Sequence, residues 1–276
     1  MIFGSIGYTI LSNSTLFPTI NILLLYDSHD EQIKKCNTTE KDIQIDEYLY
    51  ELLNKNYILM IEEVPLYDSL EKKKTLIGLW DDSNHIKNIR KFYETNKNNK
   101  NLIPFDIRFE LIDSFDENDY NDTSLYDYTK NIFIFLMLEH HFFKPSILYT
   151  KSIDNSFIRS LYKDILIKFR NIIIPNKDNL NIKLKYFKDK KNIIDKLNDI
   201  LSDIMEFYIL IKLFDLIQSN TNIVIYGGLI HIDNIKKLLI KYYKFSIKNN
   251  YGITEFNEFN KDFVNYDNQC IEIPNF

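Results

Sequence analysis

Apolar and polar positions follow two rhythms along this chain, and the places where the rhythm changes mark its elements. Residues 2–10 alternate, which predicts a strand, and Ser12-Asn13-Ser14-Thr15 supplies the turn after it. Residues 22–26 are an unbroken apolar run, the pattern of a strand buried on both faces. A polar stretch follows to about Asp42, with a short helix near 31–36. Ile45, Tyr48, Leu49, Leu52 and Leu53 recur at helical spacing, and residues 57–61 form a second short apolar run that stops at Glu62-Glu63-Val64-Pro65. Residues 66–100 read as helical and polar, with Leu70, Leu76, Ile77, Trp80, Ile86, Ile89 and Phe92 on the core stripe, closed by an Asn/Lys loop at 96–101.

In the second half, residues 105–109 alternate and predict a short strand. Residues 113–123 are an acidic loop. Helical spacing covers 127–143, 156–173 and 191–216, with a break at Pro175-Asn176-Lys177. Residues 222–226 predict a buried strand, then Gly227-Gly228, then a helix from about 233 capped by Asp233 or Asn234, with Ile235, Leu238, Leu239 and Tyr242 inward. Residues 244–248 predict a last strand. Strands separated by helices define an α/β fold: a central mixed, largely parallel sheet flanked by helices. The expectation is a single domain over 1–276, its core about 5–245, with a polar and aromatic tail at 251–276.

Composition narrows the class. A chain that is 45% hydrophobic and 26% charged has ample core material. The absence of alanine and the abundance of Ile, Asn, Lys and Tyr point to an AT-rich genome. The net charge of -5 is spread along the chain without a basic face, which argues against nucleic acid as a partner. Two cysteines, Cys36 and Cys270, can pair, but free thiols in a reducing compartment are the expectation for a chain of this size. The N-terminus lacks the basic region of a signal peptide, and Glu139-His140 and Lys212 interrupt the most apolar windows, so no membrane span is expected. The localisation that follows is cytoplasmic or virion-associated.

In open α/β sheets the site lies beyond the carboxyl ends of the strands. Three predicted strand ends carry polar groups: Asp27-Ser28-His29, Glu62-Glu63, and Gly227-Gly228 followed by His231. His29 and His231 each suit a metal ligand or a general base, and each also suits a loop histidine bonded to nearby backbone. Glu62 and Glu63 point to opposite sides of an extended segment, so one faces the site and the other meets solvent or an arginine; Glu62 is the preferred site residue. Asp27 can orient an imidazole, ligate a metal or form a turn. Arg108 can clamp an anion or pair with Asp106 or Glu62. Gly227 and Gly228 allow close approach of a cofactor or ligand to backbone, or a positive φ. A set of Asp27, His29, Glu62 and His231 would suit Mn, Co or Zn. No serine-hydrolase elbow, Cys-x-x-Cys or His-Glu-x-x-His pattern occurs.

The order of Leu25-Tyr26-Asp27-Ser28-His29, Ile61-Glu62-Glu63-Val64-Pro65, Pro104-Phe105-Asp106-Ile107-Arg108, residues 203–214 and Ile225-Tyr226-Gly227-Gly228-Leu229-Ile230-His231 resembles the superfamily of erythromycin esterases, ChaN-like haem-binding proteins and TraB/TIKI proteases. Within it the chain is most similar to uncharacterised proteins of large DNA viruses. The resemblance spans about 5–245 and implies a TIKI/erythromycin-esterase-like fold. It also implies a metal-dependent hydrolase acting on a small molecule or peptide, with catalytic His29, His231, Glu62 and Arg108. The departures are Tyr26 in place of glycine, Asp27 in place of glutamate, Leu229 in place of an acid and Lys212 in place of arginine. They imply the alternative of a catalytically degenerate structural or interaction protein of a virion or virus factory, using 113–123 and 256–276 as contact surfaces. A small-ligand or haem binder, with Tyr26 or His29 as ligand, is the third reading.

Overall fold

The computed structural model describes residues 1–13, 15, 17–28, 42–63, 86–96, 99–112, 120–137, 156–217, 221–258 and 270–274. In chain order the strands are β1 (Ile2–Phe3), β2 (Gly7–Asn13), β3 (Phe17–Asp27), β4 (Ile43–Gln44), β5 (Ile58–Ile61), β6 (Leu102–Pro104), β7 (Ile223–Gly228), β8 (Ser246–Gly252) and β9 (Cys270–Ile271). The α-helices are α1 (Ile45–Asn54), α2 (Lys87–Thr95), α3 (Arg108–Leu111), α4 (Leu125–Met137), α5 (Ser156–Ile173), α6 (Lys190–Ile217) and α7 (Leu229–Tyr243). The chain divides into two compact units, Met1–Phe105 with Leu216–Phe276, and Asp106–Asp215.

The first unit holds a six-stranded sheet in the order β6-β5-β7-β3-β2-β8 and a small sheet β4-β1-β9. β6, β5, β7 and β3 run parallel. β2 is antiparallel to both β3 and β8, so the sheet is mixed and largely parallel. The apolar runs at 22–26, 58–61 and 223–226 are its three central strands and are buried throughout, as continuous apolar strands must be when both faces are covered. One face carries Leu23, Leu25, Leu59, Ile61, Val224 and Tyr226 against Ile45, Leu49 and Leu52 of α1 and Ile89 and Tyr93 of α2. The other face carries Tyr26 beneath α7, where Lys236 lies 5.7 Å from the Tyr26 ring centre.

The second unit is helical. Ile158, Tyr162, Ile165, Phe169 and Ile172 form the buried stripe of α5, spaced three and four residues apart. A 3-10 turn, Ile174–Asn179, begins at the position before Pro175 and ends that helix. α4 opens on a reciprocal cap: the Asp127 N–H donates to Ser124 Oγ at 3.0 Å, and that hydroxyl donates to Asp127 Oδ2 at 2.7 Å.

Several expectations change. The strand expected at 105–109 lies at Leu102–Pro104, and Arg108 begins a helix instead. The cause is local: Asp106 Oδ1 accepts the Arg108 N–H at 3.3 Å, turning the chain just past Pro104. The last helix begins at Leu229, four residues before the expected cap, so Asp233 lies inside it. Its buried face is Leu229, His231, Ile232, Asp233, Ile235, Lys236, Leu239 and Tyr243, whereas Tyr242 is exposed. The final strand is Ser246–Gly252, after Lys244 closes α7 in the left-handed conformation at φ 58. Cys270 is disulfide-bonded, against the expectation of free thiols; Cys36, the only other cysteine, lies outside the described residues. So do the expected helix at 31–36, the positions Leu70, Leu76, Ile77 and Trp80, and most of the loop at 113–123. No helix among the described residues is long and apolar enough to cross a membrane.

Candidate functional site

The parallel strands β5, β7 and β3 end at one edge of the sheet, and their register decides which groups meet there. Tyr26 lies opposite Gly227 and Asp27 opposite Gly228, while Ile61 lies opposite Tyr226. Asp27, Glu62 and the start of α7 therefore converge on the carboxyl edge, where ligands bind in open α/β sheets. His231 is the third residue of α7 and is buried. It is the only histidine among the described residues; His29, His85, His140 and His141 lie outside them.

Glu62 Oε2 accepts the Gly228 N–H at 2.6 Å, within a buried environment. Gly228 is the residue preceding α7, so this carboxylate occupies the positive end of the helix. The glycines follow from that contact. Neither Gly227 nor Gly228 has a positive φ. A Cβ on Gly227 would lie 2.9 Å from Glu62 Oε2, 3.1 Å from Phe105 Cζ and 3.2 Å from Glu62 Cβ. Gly227 is there to let a side chain of this protein approach the backbone. Glu62→Ala leaves the Gly228 N–H buried without its acceptor and is expected to lower stability by about 2 kcal/mol. Glu62→Gln, which keeps an acceptor, recovers roughly half of that. Urea denaturation of the two variants measures both; equal losses would show that the bond to Gly228 is not what matters.

Alternation along the strands sends the neighbouring groups to the opposite face. Glu63 Oε2 accepts from Arg90 Nε of α2 at 2.7 Å, which is the arginine alternative considered for whichever glutamate turned away. Asp27 follows Leu25 onto the same face, beside the fully buried Tyr226. Burial first, then the charge and acceptor oxygen of Asp27, push the Tyr226 phenol well above its ordinary value, so it stays neutral. Asp46 completes this side. It accepts the Asn88 and Ile89 N–H groups at 2.7 and 2.9 Å and so caps α2 from the first turn of α1.

Arg108 is bound within its own unit. Its Nε donates to Asp106 Oδ1 at 2.7 Å and its Nη2 to Oδ2 at 2.9 Å, a two-point pairing with a fully buried carboxylate. Of the two readings of Arg108, anion clamp or pairing within the fold, the pairing with Asp106 is the one seen. Tyr26 does not open toward the edge; its hydroxyl donates to Thr9 Oγ1 at 2.9 Å beneath α7. Leu229 is the first residue of α7 and is buried, and Lys212 lies 5.3 Å from the Tyr208 ring centre on α6.

The sequence reading missed Tyr226, Asp46 and Glu110. Nothing in a strand or helix pattern distinguishes a polar tip at the carboxyl edge from core filler, so Tyr226 counted only as an apolar position. Burial pushes the Glu110 carboxyl up to about 7.

For a metal, the donor set is the test. Among the described residues no group of three His, Cys, Asp or Glu side chains is arranged to hold an ion. Glu62 is turned to α7 and Asp27 to the α1 and α2 face, so strand alternation separates two of the four expected ligands. His29, another of the four, lies outside the described residues.

Fold and edge together define a mixed α/β protein with a largely parallel sheet flanked by helices, carrying carboxylates at its carboxyl edge. No family model matches the chain, and no curated protein and no solved structure matches it.

Proposed function

We propose that this chain is a non-catalytic binding or structural protein built on a hydrolase-type α/β scaffold, as the alternative reading of its sequence departures suggests. The observation that carries it is the bond from the Gly228 N–H to Glu62. The carboxylate best placed for chemistry acts as a helix cap inside the fold. The Arg108–Asp106 pairing and the Tyr26 side chain filling the sheet beneath α7 support the same reading. The test is elemental analysis of the native full chain together with a panel of ester and peptide substrates. No stoichiometric metal and no turnover are expected, and His29→Ala and His231→Ala should leave both unchanged. About one Mn, Co or Zn per chain, lost in either histidine variant, would overturn it.

A second reading, a metal-dependent hydrolase acting on a small molecule or peptide, is favoured by one feature: Asp27, Glu62 and His231 all lie at the carboxyl edge of three adjacent strands. Metal-dependent turnover lost in His29→Ala and His231→Ala would establish it. Recovery of the chain in stoichiometric amounts from purified virus particles would support the structural role instead.

A further inference from the structure

In the helical unit, α4 is apolar on two faces. Leu125, Tyr128, Thr129, Ile132 and Leu136 turn inward. By the helical period Tyr126, Phe133, Ile134 and Met137 share the opposite side, and each is between 51% and 60% exposed. A helix that is hydrophobic all round is ordinarily covered. Here four large apolar side chains stand open in one stripe, and a contiguous exposed patch of that kind marks an interaction surface.

The sign of the partner follows from what borders the stripe. The N–H groups of Leu125 and Tyr126 donate to the carbonyls of Ile182 and Leu180 at 3.2 and 2.8 Å, and the Leu184 N–H donates to that of Thr123 at 2.9 Å. The α5–α6 connection therefore lies along the start of α4. Residues 174–191, which are this connection and the first residues of α6, hold six lysines against two aspartates, although the whole chain has a net charge of -5. Lys183 and Lys185 share the single Asp122 carboxylate at 3.0 and 2.5 Å, which leaves a positive charge over. Lys177, Lys188 and Lys191 are exposed and have no ion pair among the described residues. At the edge of the stripe Asp127 is matched by Lys130 at 3.6 Å. Ile174, Ile182 and Tyr186 are exposed among these lysines, and Lys185 lies 5.4 Å from the Tyr186 ring centre.

We propose that the α4 stripe and the lysine-bearing connection dock on an anionic lipid surface. Tyr126, Phe133, Ile134 and Met137 enter the boundary between headgroups and acyl chains, and the lysines meet the anionic headgroups. A bilayer of this kind offers apolar depth and negative charge side by side, the combination that this border matches. A second copy joined stripe to stripe supplies only the apolar half, because the lysines bordering it have the same sign. No residue of the surface belongs to the carboxyl edge, so it stands under either reading of that edge and goes beyond both.

Cosedimentation of the full chain with vesicles tests this. Binding to vesicles of equal parts phosphatidylcholine and phosphatidylserine is expected to exceed binding to phosphatidylcholine alone by about 100-fold, since each of the three lysines without an ion pair contributes about fivefold near an anionic surface. High salt should abolish the excess. Lys177→Gln with Lys188→Gln and Lys191→Gln should remove most of the preference, and Phe133→Ser with Met137→Ser should weaken binding to the mixed vesicles about tenfold. All five side chains are exposed, so melting temperatures should match the parent chain. Equal binding to the two vesicles, binding to neither, or undiminished binding by the double serine variant would each overturn the proposal. A dimer in sedimentation velocity that the serine pair dissolves, without vesicle binding, would give the face to a second copy instead.

Discussion

Replacing Asp233 by alanine lowers the unfolding free energy by about 3–5 kcal/mol, the cost of leaving a buried cation without its partner. Asp233 and Lys236 sit on the inner face of α7 at 1% and 4% exposure. Lys236 Nζ lies 3.1 Å from Asp233 Oδ1, an ion pair whose angle falls short of a hydrogen bond. The same ammonium donates to the Thr254 carbonyl at 2.5 Å. Asp233 Oδ2 accepts the Phe256 N–H at 3.1 Å and the Lys237 ammonium at 2.6 Å. One carboxylate thus neutralises a buried lysine and ties residues 254–256 to the helix. The Lys237 contact is half-exposed and adds little.

The decisive comparison is the double replacement Asp233→Leu with Lys236→Met. Removing both charges together removes the desolvation cost as well, so this variant should stay within about 2 kcal/mol of the parent. Urea denaturation of both variants measures the difference. A single variant no less stable than the double one would show that the pair is not what holds α7 at this position.

Gly7→Ala is expected to cost about 3 kcal/mol or more, because it overpacks a place where only backbone can yield. A Cβ on Gly7 would lie 2.3 Å from the Ile253 carbonyl oxygen and 2.8 Å from that of Tyr251. Gly7 pairs with Gly252 across the β2–β8 ladder, and Gly252 has a φ of +74, a conformation only glycine takes freely. Two hydrogen bonds close the crossing: the Ile253 N–H donates to the Ile6 carbonyl, and the Ile6 N–H donates to that of Tyr26, both at 2.9 Å. An added methyl must therefore separate two strands. Gly227→Ala should cost less, because the atoms it meets belong to the Glu62 and Phe105 side chains, which can rotate. Thermal unfolding of the two alanine variants ranks them, and the reverse order would contradict this reading.

The fold class was legible because burial on both faces writes itself as continuous apolar runs. Residues 22–26, 57–61 and 222–226 are the three central strands, and α1, α5 and α6 match their helical patterns to within a residue or two. Failures occurred where a side chain overrides periodicity. Asp106 turns the alternating stretch after Pro104 into a helix start, and the capped N-terminus of α7 places Asp233 and Lys236 on the inner face of a helix. Polar residues on a buried face break the apolar stripe by which a helix is phased, so Leu238 and Tyr242 were expected inside where Tyr243 is.

The strand ends carrying Asp27, Glu62 and His231 do share one edge of the sheet, and only register decides that. What each group does there is a question of which face it turns to and which neighbour it meets first. Sequence could set Glu62 and Glu63 on opposite sides, but not that one would cap α7 and the other bind Arg90. By itself the sequence determined an α/β core, its three central strands, several of its helices, and the polar strand ends. Tertiary structure alone decided the partners of those polar groups. A buried carboxylate must be satisfied by whichever donor the packing brings within reach, and here the donors are helix N–H groups and basic side chains distant in the chain.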